Sequence, residues 1–444
     1  MKKNVFRATR REFLAGAAGL GAAAMFGGRP AFSADVDWKK FSGQTLDVNL
    51  VKSPRSETLL KYMSEFEEMT GMKVNAEATP EQQQRQKTVI ELSSGKPSFD
   101  VVHLSYHVQK RQFEKAGWLA DIGGYLKDPS LTDAGLTEAD FAQAGLDFAK
   151  DSDGTLRSLP FSVDYWIIYW NKELFEAKGV NYPASFDDMM KAAEAITDRD
   201  KNVFGFVARG LKNANVPVWT SLMLGFDKYS VEKGQLQTET PEAIEAAKIY
   251  QRLMTKSAPP GVAGFNWAES QSAFLQGRIG MWFDGVGFAP PLEDPNKSRV
   301  VGKVGYGIMP KGPKAHASGT FGDGIGVTAA SQKKEAAYLF CQWAVSPIMG
   351  ARLLQAGAGV PFRKSILNDP KVREGVTMPS DWVDAVVGSG EISRLALPVI
   401  IPVTEFRDVF GVALTNMISG SDPADELKKA TEAFKPVLEK SEKA

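Results

Sequence analysis

The sequence is poor in cysteine and histidine, two side chains often used for metal binding and nucleophilic catalysis. Its 444 residues contain one cysteine, Cys341, and three histidines. A single cysteine excludes an internal disulfide, so the fold must be stabilised by core burial. Cys341 falls in a predicted helix beside Leu339, Phe340 and Trp343, and we expect a buried free thiol there.

The few histidines do not form a metal-binding pattern. His103 and His107 are four residues apart, as two ligands on a helix face would be, but His103 falls in a predicted strand. No glutamate follows the first histidine, and the third histidine is His316. The chain also lacks a Gly-x-Ser-x-Gly elbow, and Gly322–Gly326 lacks the spacing of a dinucleotide-binding or phosphate-binding loop. We therefore expect no metal, no cofactor and no catalytic residue.

The chain has no excess of either charge and no hydrophobic run long enough to span a bilayer. The formal net charge is zero, and no basic run is present, which argues against nucleic acid as a partner. The N-terminal apolar stretch Leu14–Phe26 is shorter than the roughly 20 residues of a transmembrane helix. It follows the twin-arginine pattern Thr9–Leu14, and small residues up to Ala34 suit cleavage.

Residues 1–34 are therefore predicted to be a signal peptide that engages the twin-arginine (Tat) export machinery. An ordinary secretory signal would also give export. The segment has no cysteine to carry a lipid, so we expect a freely diffusing monomer in the periplasm of a Gram-negative cell. Its removal leaves a mildly acidic chain.

The remainder of the chain alternates predicted strands with predicted helices. Strands are predicted over residues 44–51, 72–78 and 98–104, with helices between them, and the alternation resumes beyond residue 185. This spacing is typical of βαβ units and a parallel sheet, so the predicted fold class is α/β. Breaks over residues 310–319 and 357–361 are where a chain crossing between two lobes would place them.

The segment Leu159–Gly179 predicts a strand that runs directly into a helix. A series of bulky aromatic and aliphatic residues is followed by Asn171, a good N-cap, and then by the helical segment Lys172–Lys178 that Gly179 ends. Asp164 lies near the start of the strand among apolar residues. Two interpretations are open: a buried core strand, or a crossing between lobes in which Asp164 faces a cleft.

Tryptophans beside predicted strand ends suit the recognition of sugars. An indole face offers apolar area to the C–H face of a sugar ring, while polar side chains bond its hydroxyls. A hydrogen bond to a charged group contributes about 1.5–3 kcal/mol. Core packing is the alternative for any one of these indoles. They are Trp166, Trp170, Trp219, Trp267 and Trp282.

Four segments in a fixed order, behind an export signal, resemble a known family. They are Ser98–Val102 with Gly117–Ile122, Leu159–Phe161 with Tyr169–Phe175, Phe274–Gly285, and Val360–Ser365. From Thr45 onward the chain resembles the extracellular solute-binding proteins of ABC importers, in the sugar-binding branch that includes the maltose-binding protein. The resemblance implies two α/β lobes, a hinge, a central ligand cleft and delivery of a sugar or polyol to ABC transporter membrane permease subunits.

The resemblance also implies boundaries and site residues. The first lobe would comprise residues 35–162 plus 313–356, and the second residues 163–312 plus 357–444. Implied ligand-binding residues lie in loops that face the cleft. They are Ser53, Arg55, Ser105, Tyr106, His107, Asp164, Tyr165, Trp219, Trp282, Asp284, Gly285, Gly322, Asp323, Arg363 and Arg407.

Two departures from the maltose-binding relatives bear on the ligand. Where those relatives carry tryptophans, this chain has Ser105–His107 after the third strand and Glu405–Arg407 near its C-terminus. Fewer stacking rings favour a monosaccharide, polyol or disaccharide over a long oligosaccharide. Arg55 and Arg363, together with Arg407, leave an acidic or phosphorylated sugar open.

Two further functions remain open from the sequence. One is a binding protein for a non-sugar solute, such as an amino acid, a peptide or sn-glycerol phosphate. The other is an exported glycoside hydrolase in which Asp164 and Asp284 form the carboxylate pair, at a separation that would have to suit a glycosidase.

Overall fold

The computed structural model describes residues 36–443. The predicted signal peptide and its cleavage site near Ala34 lie outside the described residues. The first three strands lie within three residues of their predicted bounds at each end, and the described residues contain twelve strands in all. They are β1 Thr45–Val51, β2 Lys73–Thr79, β3 Val101–Ser105, β4 Ser158–Asn171, β5 Phe204–Val207, β6 Val231–Glu232, β7 Gln235–Leu236, β8 Ile279–Gly285, β9 Val304–Gly307, β10 Ser318–Val327, β11 Val360–Pro361 and β12 Ser393–Leu395.

Ten of the described strands form one mixed sheet, while β6 and β7 form a separate hairpin. The main order is β2-β1-β3-β10-β4-β8-β5, with β9 and β11 also paired to β4 and β12 paired to β10. β1 is parallel to β2 and β3, and β5 is parallel to β8, whereas β10 and β4 run antiparallel to their main neighbours. The predicted parallel sheet is therefore only partly correct. Parallel pairing of consecutive strands requires a crossover connection between them. β4 and β10 instead pair with main neighbours that are distant in the sequence, and here the pairing is antiparallel.

Strand β4 pairs with different neighbours along its length and so links the two halves of this sheet. Up to Tyr165 it pairs with β10 and β11, and from Trp166 onward it pairs with β8 and β9. We refer to β2, β1, β3, β10, β11 and the start of β4 as the first half-sheet. The end of β4 with β8, β9 and β5 is the second half-sheet. The chain thus passes from one to the other within a continuous strand of 14 residues.

Helix α7, Lys172–Lys178, begins and ends at the signals predicted from the sequence. In α7, the Oδ1 atom of Asn171 accepts from the backbone N–H groups of Glu173 and Leu174 at 3.1 and 3.3 Å. Gly179 then ends the helix in the left-handed conformation, with φ of 64°. Within residues 36–443, no helix is both long and apolar enough to cross a membrane.

The helices are α1 Pro54–Lys61, α2 Met63–Thr70, α3 Glu81–Ser93, α4 Tyr106–Ala116, α5 Gly123–Leu126, α6 Gln143–Ala149, α7 Lys172–Lys178, α8 Phe186–Ile196, α9 Val216–Leu224, α10 Pro241–Arg252, α11 Trp267–Leu275, α12 Lys334–Ala344, α13 Pro347–Gln355, α14 Lys364–Asn368, α15 Pro370–Glu374, α16 Ser380–Ile392, α17 Val403–Ile418 and α18 Pro423–Lys443. A π-helical turn, Leu253–Ser257, extends α10.

Two segments that were expected to form turns or loops lie inside strands. Trp282–Gly285 is part of β8, and Phe321–Asp323 is part of β10. Both strands have paired neighbours on both sides, so the hydrogen bonds of the sheet hold these glycine-containing segments extended. The absence of a side chain at Gly324 also permits close packing, because a Cβ there would lie 2.1 Å from the hydroxyl of Tyr106.

The single cysteine lies in the core, as predicted. Cys341 is completely buried in α12, and burial raises the pKa of its thiol. Nearby, Phe66 packs against Phe340 and Trp343, with ring centroids 5.3 Å apart in both pairs. A thiol in such surroundings behaves as a small apolar side chain.

Candidate functional site

Polar side chains from both half-sheets meet at the carboxyl ends of the parallel strands. Ser53 follows β1, Glu81 follows β2, Ser105 ends β3, and Arg209 follows β5. Ligands of α/β proteins bind characteristically at this edge of a sheet. The side chains enclose a cavity of about 50 Å³. Its walls are Val51, Ser53, Arg55, Glu81, Arg85, His103, Ser105, His107, Asp164, Trp166, Arg209, Pro217, Trp267, Phe288, Phe321, Asp323 and Arg407.

At one end of the cavity, Arg55 is held between two carboxylates. Its Nη2 atom lies 2.7 Å from Asp164 Oδ2, and its Nη1 atom lies 3.0 Å from Asp323 Oδ2. All three side chains are buried. Burial would raise the pKa of Asp323, but the charge of Arg55 lowers this pKa below its ordinary range. We refer to these three residues as the inner end of the cavity.

The position of Asp164 depends on two backbone neighbours in the second half-sheet region. The N–H of Gly287 donates to Asp164 Oδ1 at 3.3 Å. Gly285 makes room for the carboxylate, since a Cβ at this position would lie 2.2 Å from Asp164 Oδ2. Because Arg55 follows β1, Asp164 contacts both halves of the molecule, as the crossover interpretation requires.

Glu81 and Arg209 form an ion pair between the two halves. Glu81 Oε2 lies 3.4 Å from Arg209 Nη1, and Glu81 Oε1 lies 2.5 Å from Arg85 Nη2. Arg209 also binds Asp284, with Nη2 at 2.6 Å from Oδ1 and Nε at 2.9 Å from Oδ2. Burial opposes ionisation of Glu81, but the two arginines together lower its pKa to about 2. The carboxylate therefore stays charged at neutral pH.

Arg407 differs from the other arginines of the cavity. Its Nε atom donates to the carbonyl of Asn213 at 3.1 Å, and its buried Nη1 atom has no hydrogen-bond partner. Among residues 36–443, no carboxylate lies within ion-pair distance of its guanidinium. The pKa of Arg407 is lowered to about 9, mainly by burial and secondly by repulsion from Arg85. The outer end of the cavity comprises Arg85, Arg209, Arg407, Glu81 and Asp284.

His107 is a neutral side chain beside this outer end. Its Nδ1 atom lies 3.3 Å from the carbonyl of Gly322, and its Nε2 atom lies 3.4 Å from Arg85 Nη2. A guanidinium can only donate, so Nε2 is the acceptor and Nδ1 carries the proton. Burial and then Arg85 lower the pKa of His107 to about 3.

Aromatic rings form the apolar wall of the cavity. The Cζ atom of Arg209 lies 5.0 Å from the ring centroid of Trp166 and 5.6 Å from that of Phe288. Trp267 stacks on Phe288 with centroids 4.8 Å apart, and Phe321 packs against Trp166 at 4.9 Å. These rings orient the cation and offer flat apolar area beside the charged groups.

A larger cavity adjoins the first across Arg85 and Arg407, which line both. It has a volume of about 490 Å³, and helices α3, α4 and α17 supply most of its walls. The side-chain amide of Gln82 donates to the carbonyl of Lys212 at 3.2 Å, which links the two walls. We refer to this cavity as the outer groove.

The described residues contain no group of three or more His, Cys, Asp or Glu side chains placed to hold a metal ion. The carboxylates of the cavity are instead paired with guanidinium groups. The chemistry that this arrangement supports is hydrogen bonding to a small polar molecule.

The family assignment follows from a match over most of the chain. Residues 52–351 match the bacterial extracellular solute-binding proteins. The chain belongs to this family. The resemblance noted from the sequence is therefore confirmed, and so is the two-lobed α/β fold, which solved members share.

Three relatives of this solute-binding protein span most of its length. An erythritol/L-threitol-binding protein of Mycolicibacterium smegmatis is 25% identical over 421 residues, covering 88% of this chain and 85% of the relative. A probable amino-acid ABC transporter periplasmic-binding protein of Sinorhizobium fredii is 27% identical over 340 residues, covering 75% and 76%. A solute-binding protein of Agrobacterium radiobacter, solved with ribitol, is 26% identical, with a TM-score of 0.80 over 89% of this chain and 99% of that one.

Most of the ligand-binding residues predicted for this solute-binding protein lie at the cavity. Asp284 bonds to Arg209 behind the cavity wall, Gly285 adjoins Asp164, and the Gly322 carbonyl faces His107. The predicted residues that line the cavity directly are Ser53, Arg55, Ser105, His107, Asp164, Asp323 and Arg407.

Three predicted residues lie elsewhere in the solute-binding protein. Tyr106 bonds through its hydroxyl to Ser158 Oγ at 2.6 Å and lines a separate cavity of about 20 Å³. Tyr165 lies on the opposite face of β4 from Asp164, because neighbouring residues of a strand point to opposite sides. Arg363 binds Asp140 Oδ2 through Nε at 2.6 Å, so its charge is used away from the cavity.

The two predicted tryptophans are core residues. The indole N–H of Trp219 donates to the carbonyl of Ala243 at 3.0 Å, and its ring stacks on Phe410. Trp282 is stacked on Tyr169 with centroids 4.5 Å apart and has no exposed surface. The expectation that these rings face the cleft is thus corrected: both pack in the core.

Four residues of the site were not predicted from the sequence. Glu81 and Arg209 pair across the two halves, Arg85 binds Glu81, and Phe288 forms part of the aromatic wall. Glu81 and Arg209 could have been identified, since each comes directly after a predicted strand. The placement of Arg85 and Phe288 at the cavity depends on how the neighbouring segments turn back toward it.

Proposed function

We propose that this protein binds a short polyol or a small sugar in the cavity and delivers it to the membrane permease of an ABC importer. The main support is the lining of the cavity, in which buried guanidinium and carboxylate groups lie beside the rings of Trp166 and Phe288. Charged groups can donate to and accept from many hydroxyls, and the rings suit a C–H surface.

The size of the cavity favours a small ligand. About 10–15 Å³ of such space holds one water, so a volume of about 50 Å³ suits a ligand that displaces a few waters. A disaccharide would have to extend past Arg85 and Arg407 into the outer groove. The relatives named for erythritol, L-threitol and ribitol agree with a short polyol.

Binding is proposed to favour the closed arrangement of two lobes, residues 35–162 plus 313–356 and residues 163–312 plus 357–444. A ligand in the cavity would contact Arg55 from one lobe and Arg209 from the other. Only a closed form offers both sets of contacts, so the ligand stabilises that form. The Glu81–Arg209 pair would contribute to the same closure.

Export by the twin-arginine machinery to the periplasm is proposed from the signal-like residues 1–34, in agreement with the extracellular family. We propose a monomeric binding protein without catalytic activity. Both carboxylates of the alternative glycosidase, Asp164 and Asp284, are engaged by arginines. Turnover of a glycoside by the purified protein would contradict this.

Titration calorimetry and thermal shift with erythritol, L-threitol, ribitol, D-mannitol and maltose test the proposal, with amino acids and sn-glycerol 3-phosphate as the alternative solutes. We expect the tetritols and ribitol to bind and maltose to bind weakly. Asp164→Asn should weaken binding about tenfold or more, since a charge-assisted hydrogen bond is lost. Asp384→Asn, at an exposed position, is the matched control. If no sugar or polyol binds, the proposal fails.

A further inference from the structure

The two ends of the cavity have opposite charge balance. At the inner end, the single cation Arg55 faces the two carboxylates Asp164 and Asp323. At the outer end, three arginines face two carboxylates. The two ends together are balanced, but the outer end carries one positive charge in excess. Those outer arginines are Arg85, Arg209 and Arg407, and the carboxylates are Glu81 and Asp284. Lys212, Glu405 and Asp408 lie farther out, on the walls of the outer groove, where Lys212 and Asp408 form an ion pair.

Buried guanidinium donors without a hydrogen-bond partner occur at both ends of the cavity; at the inner end they are Nε and Nη2 of Arg55, of which Nη2 is in an ion pair with Asp164. At the outer end the unpaired donors coincide with the excess charge. The Nη1 atom of Arg407 and the Nε and Nη1 atoms of Arg85 are buried and without a partner in the protein. Both side chains line the cavity, and that of Arg407 is 2% exposed. Buried guanidinium groups are costly unless an acceptor, above all an anion, completes their hydrogen bonding.

We propose that the preferred ligand is a short polyhydroxy acid whose carboxylate is held between Arg85 and Arg407 at the outer end. This inference rests on the proposed function and specifies the ligand class within it. A carboxylate accepts hydrogen bonds only, and it carries the single negative charge that the outer end lacks. The hydroxyls of the same molecule extend to the inner end, where Asp164 and Asp323 accept from them.

The arrangement discriminates between acids. A phosphate dianion carries one charge more than the excess at the outer end. An amino acid would place its ammonium toward the inner end but has few hydroxyls for the remaining polar groups. A neutral alditol fills the same space without completing the donors of Arg85 and Arg407, so it binds more weakly than the acid of equal length.

The test compares matched ligands by calorimetry at neutral pH: erythritol with erythronate, and ribitol with ribonate. We expect each acid to bind at least tenfold more tightly than its alditol. Arg407→Gln should reduce the ratio of acid affinity to alditol affinity at least tenfold. Arg407→Lys keeps the charge but not the planar fork, so it should retain part of the preference for the acid. Arg299→Gln, at an exposed position, is the control and should leave the ratio unchanged.

The outcomes separate this inference from the proposed function. If the alditols bind and the acids bind no more tightly, or if Arg407→Gln leaves the ratio unchanged, the carboxylate site is refuted and polyol binding stands. Tightest binding of sn-glycerol 3-phosphate or of an amino acid refutes it as well. If neither alditols nor acids bind, both proposals fail. If circular dichroism shows that Arg407→Gln does not fold, Arg407→Lys is used instead. A lower acid-to-alditol affinity ratio in Arg407→Lys than in the wild type then supports the carboxylate site, and an unchanged ratio refutes it.

Discussion

At the inner end of the cavity, Arg55 lies between two carboxylates, whereas Arg407 at the outer end has no carboxylate within ion-pair distance among the described residues. Both side chains are buried to a similar extent, at 5% and 2% exposure. The same residue type therefore has different energetic roles. Removing Arg55 would leave two buried anions without a counter-charge, whereas removing Arg407 would relieve a repulsion with Arg85.

The largest expected effect is a difference in the free energy of unfolding between variants of these two arginines. Arg55→Met should lower the free energy of unfolding by about 3–5 kcal/mol, the usual cost of removing one partner from a buried ion pair. Arg407→Met should cost about 1 kcal/mol or less, because it removes one hydrogen bond and an unpaired charge. Urea unfolding of both variants and of the wild type gives the comparison. Equal losses would show that the two ends do not differ as described.

A smaller effect is expected at the glycine beside the inner end. Gly285→Ala introduces a Cβ that would lie 2.2 Å from Asp164 Oδ2, so the carboxylate must move away from Arg55. Overpacking of this kind costs about 1–3 kcal/mol, and ligand affinity should fall with it. Gly264→Ala is the matched control, since nothing lies within 4 Å of a Cβ at that position. Thermal unfolding and calorimetry of both variants measure the difference, and a Gly285→Ala protein with unchanged affinity would contradict the close packing.

A third effect concerns protonation at the outer end. Burial and Arg85 hold the pKa of His107 at about 3, against an ordinary value of 6.5. Between these values the unfolded chain binds a proton that the folded chain does not. Stability should therefore fall as the pH falls below about 6.5, by up to about 1.4 kcal/mol per pH unit from this group.

His107→Gln should reduce this dependence, because glutamine does not titrate and can still donate to Gly322. The free energy of unfolding at pH 7 and at pH 5 is compared between the variant and the wild type. This range avoids Glu81, whose contribution is lost only as the pH falls from about 4.5 toward 2. An identical pH dependence in both proteins would show that the surroundings of His107 do not exclude the proton.

Features determined by adjacent residues were predictable from the sequence. The cap at Asn171, the helix end at Gly179 and the alternation of the first strands with helices along the chain depend on local conformation and on the spacing of apolar residues. The burial of Cys341 follows from its apolar neighbours in the same helix. For such features, tertiary contacts reinforce a preference that the chain already has.

The direction in which a side chain points was less predictable. Trp282 and Asp284 share one face of β8, yet Trp282 lies beneath Phe288, with ring centroids 6.2 Å apart, and has no exposed surface. Sequence spacing gives the face of a strand but not how far along it the cavity reaches. Trp219 similarly lies on a helix that is buried along its whole length, and its indole N–H donates to a carbonyl in the core.

Contacts between the lobes were the least predictable. Glu81 and Arg209 are 128 residues apart and meet only because the carboxyl edges of the two half-sheets face each other. Their positions immediately after strands are visible in the sequence, but their pairing is not. Long-range charge pairing depends on the closed geometry rather than on local preference.

The complete burial of Cys341 has a practical consequence for measuring lobe closure. Because it is the sole thiol in the sequence and is inaccessible, a cysteine introduced on the surface would be the one group that reacts with a thiol-specific dye. Gln86 and Glu405 are exposed positions on opposite walls of the outer groove. A fluorophore attached at either position would report solute binding optically, without first removing a native cysteine.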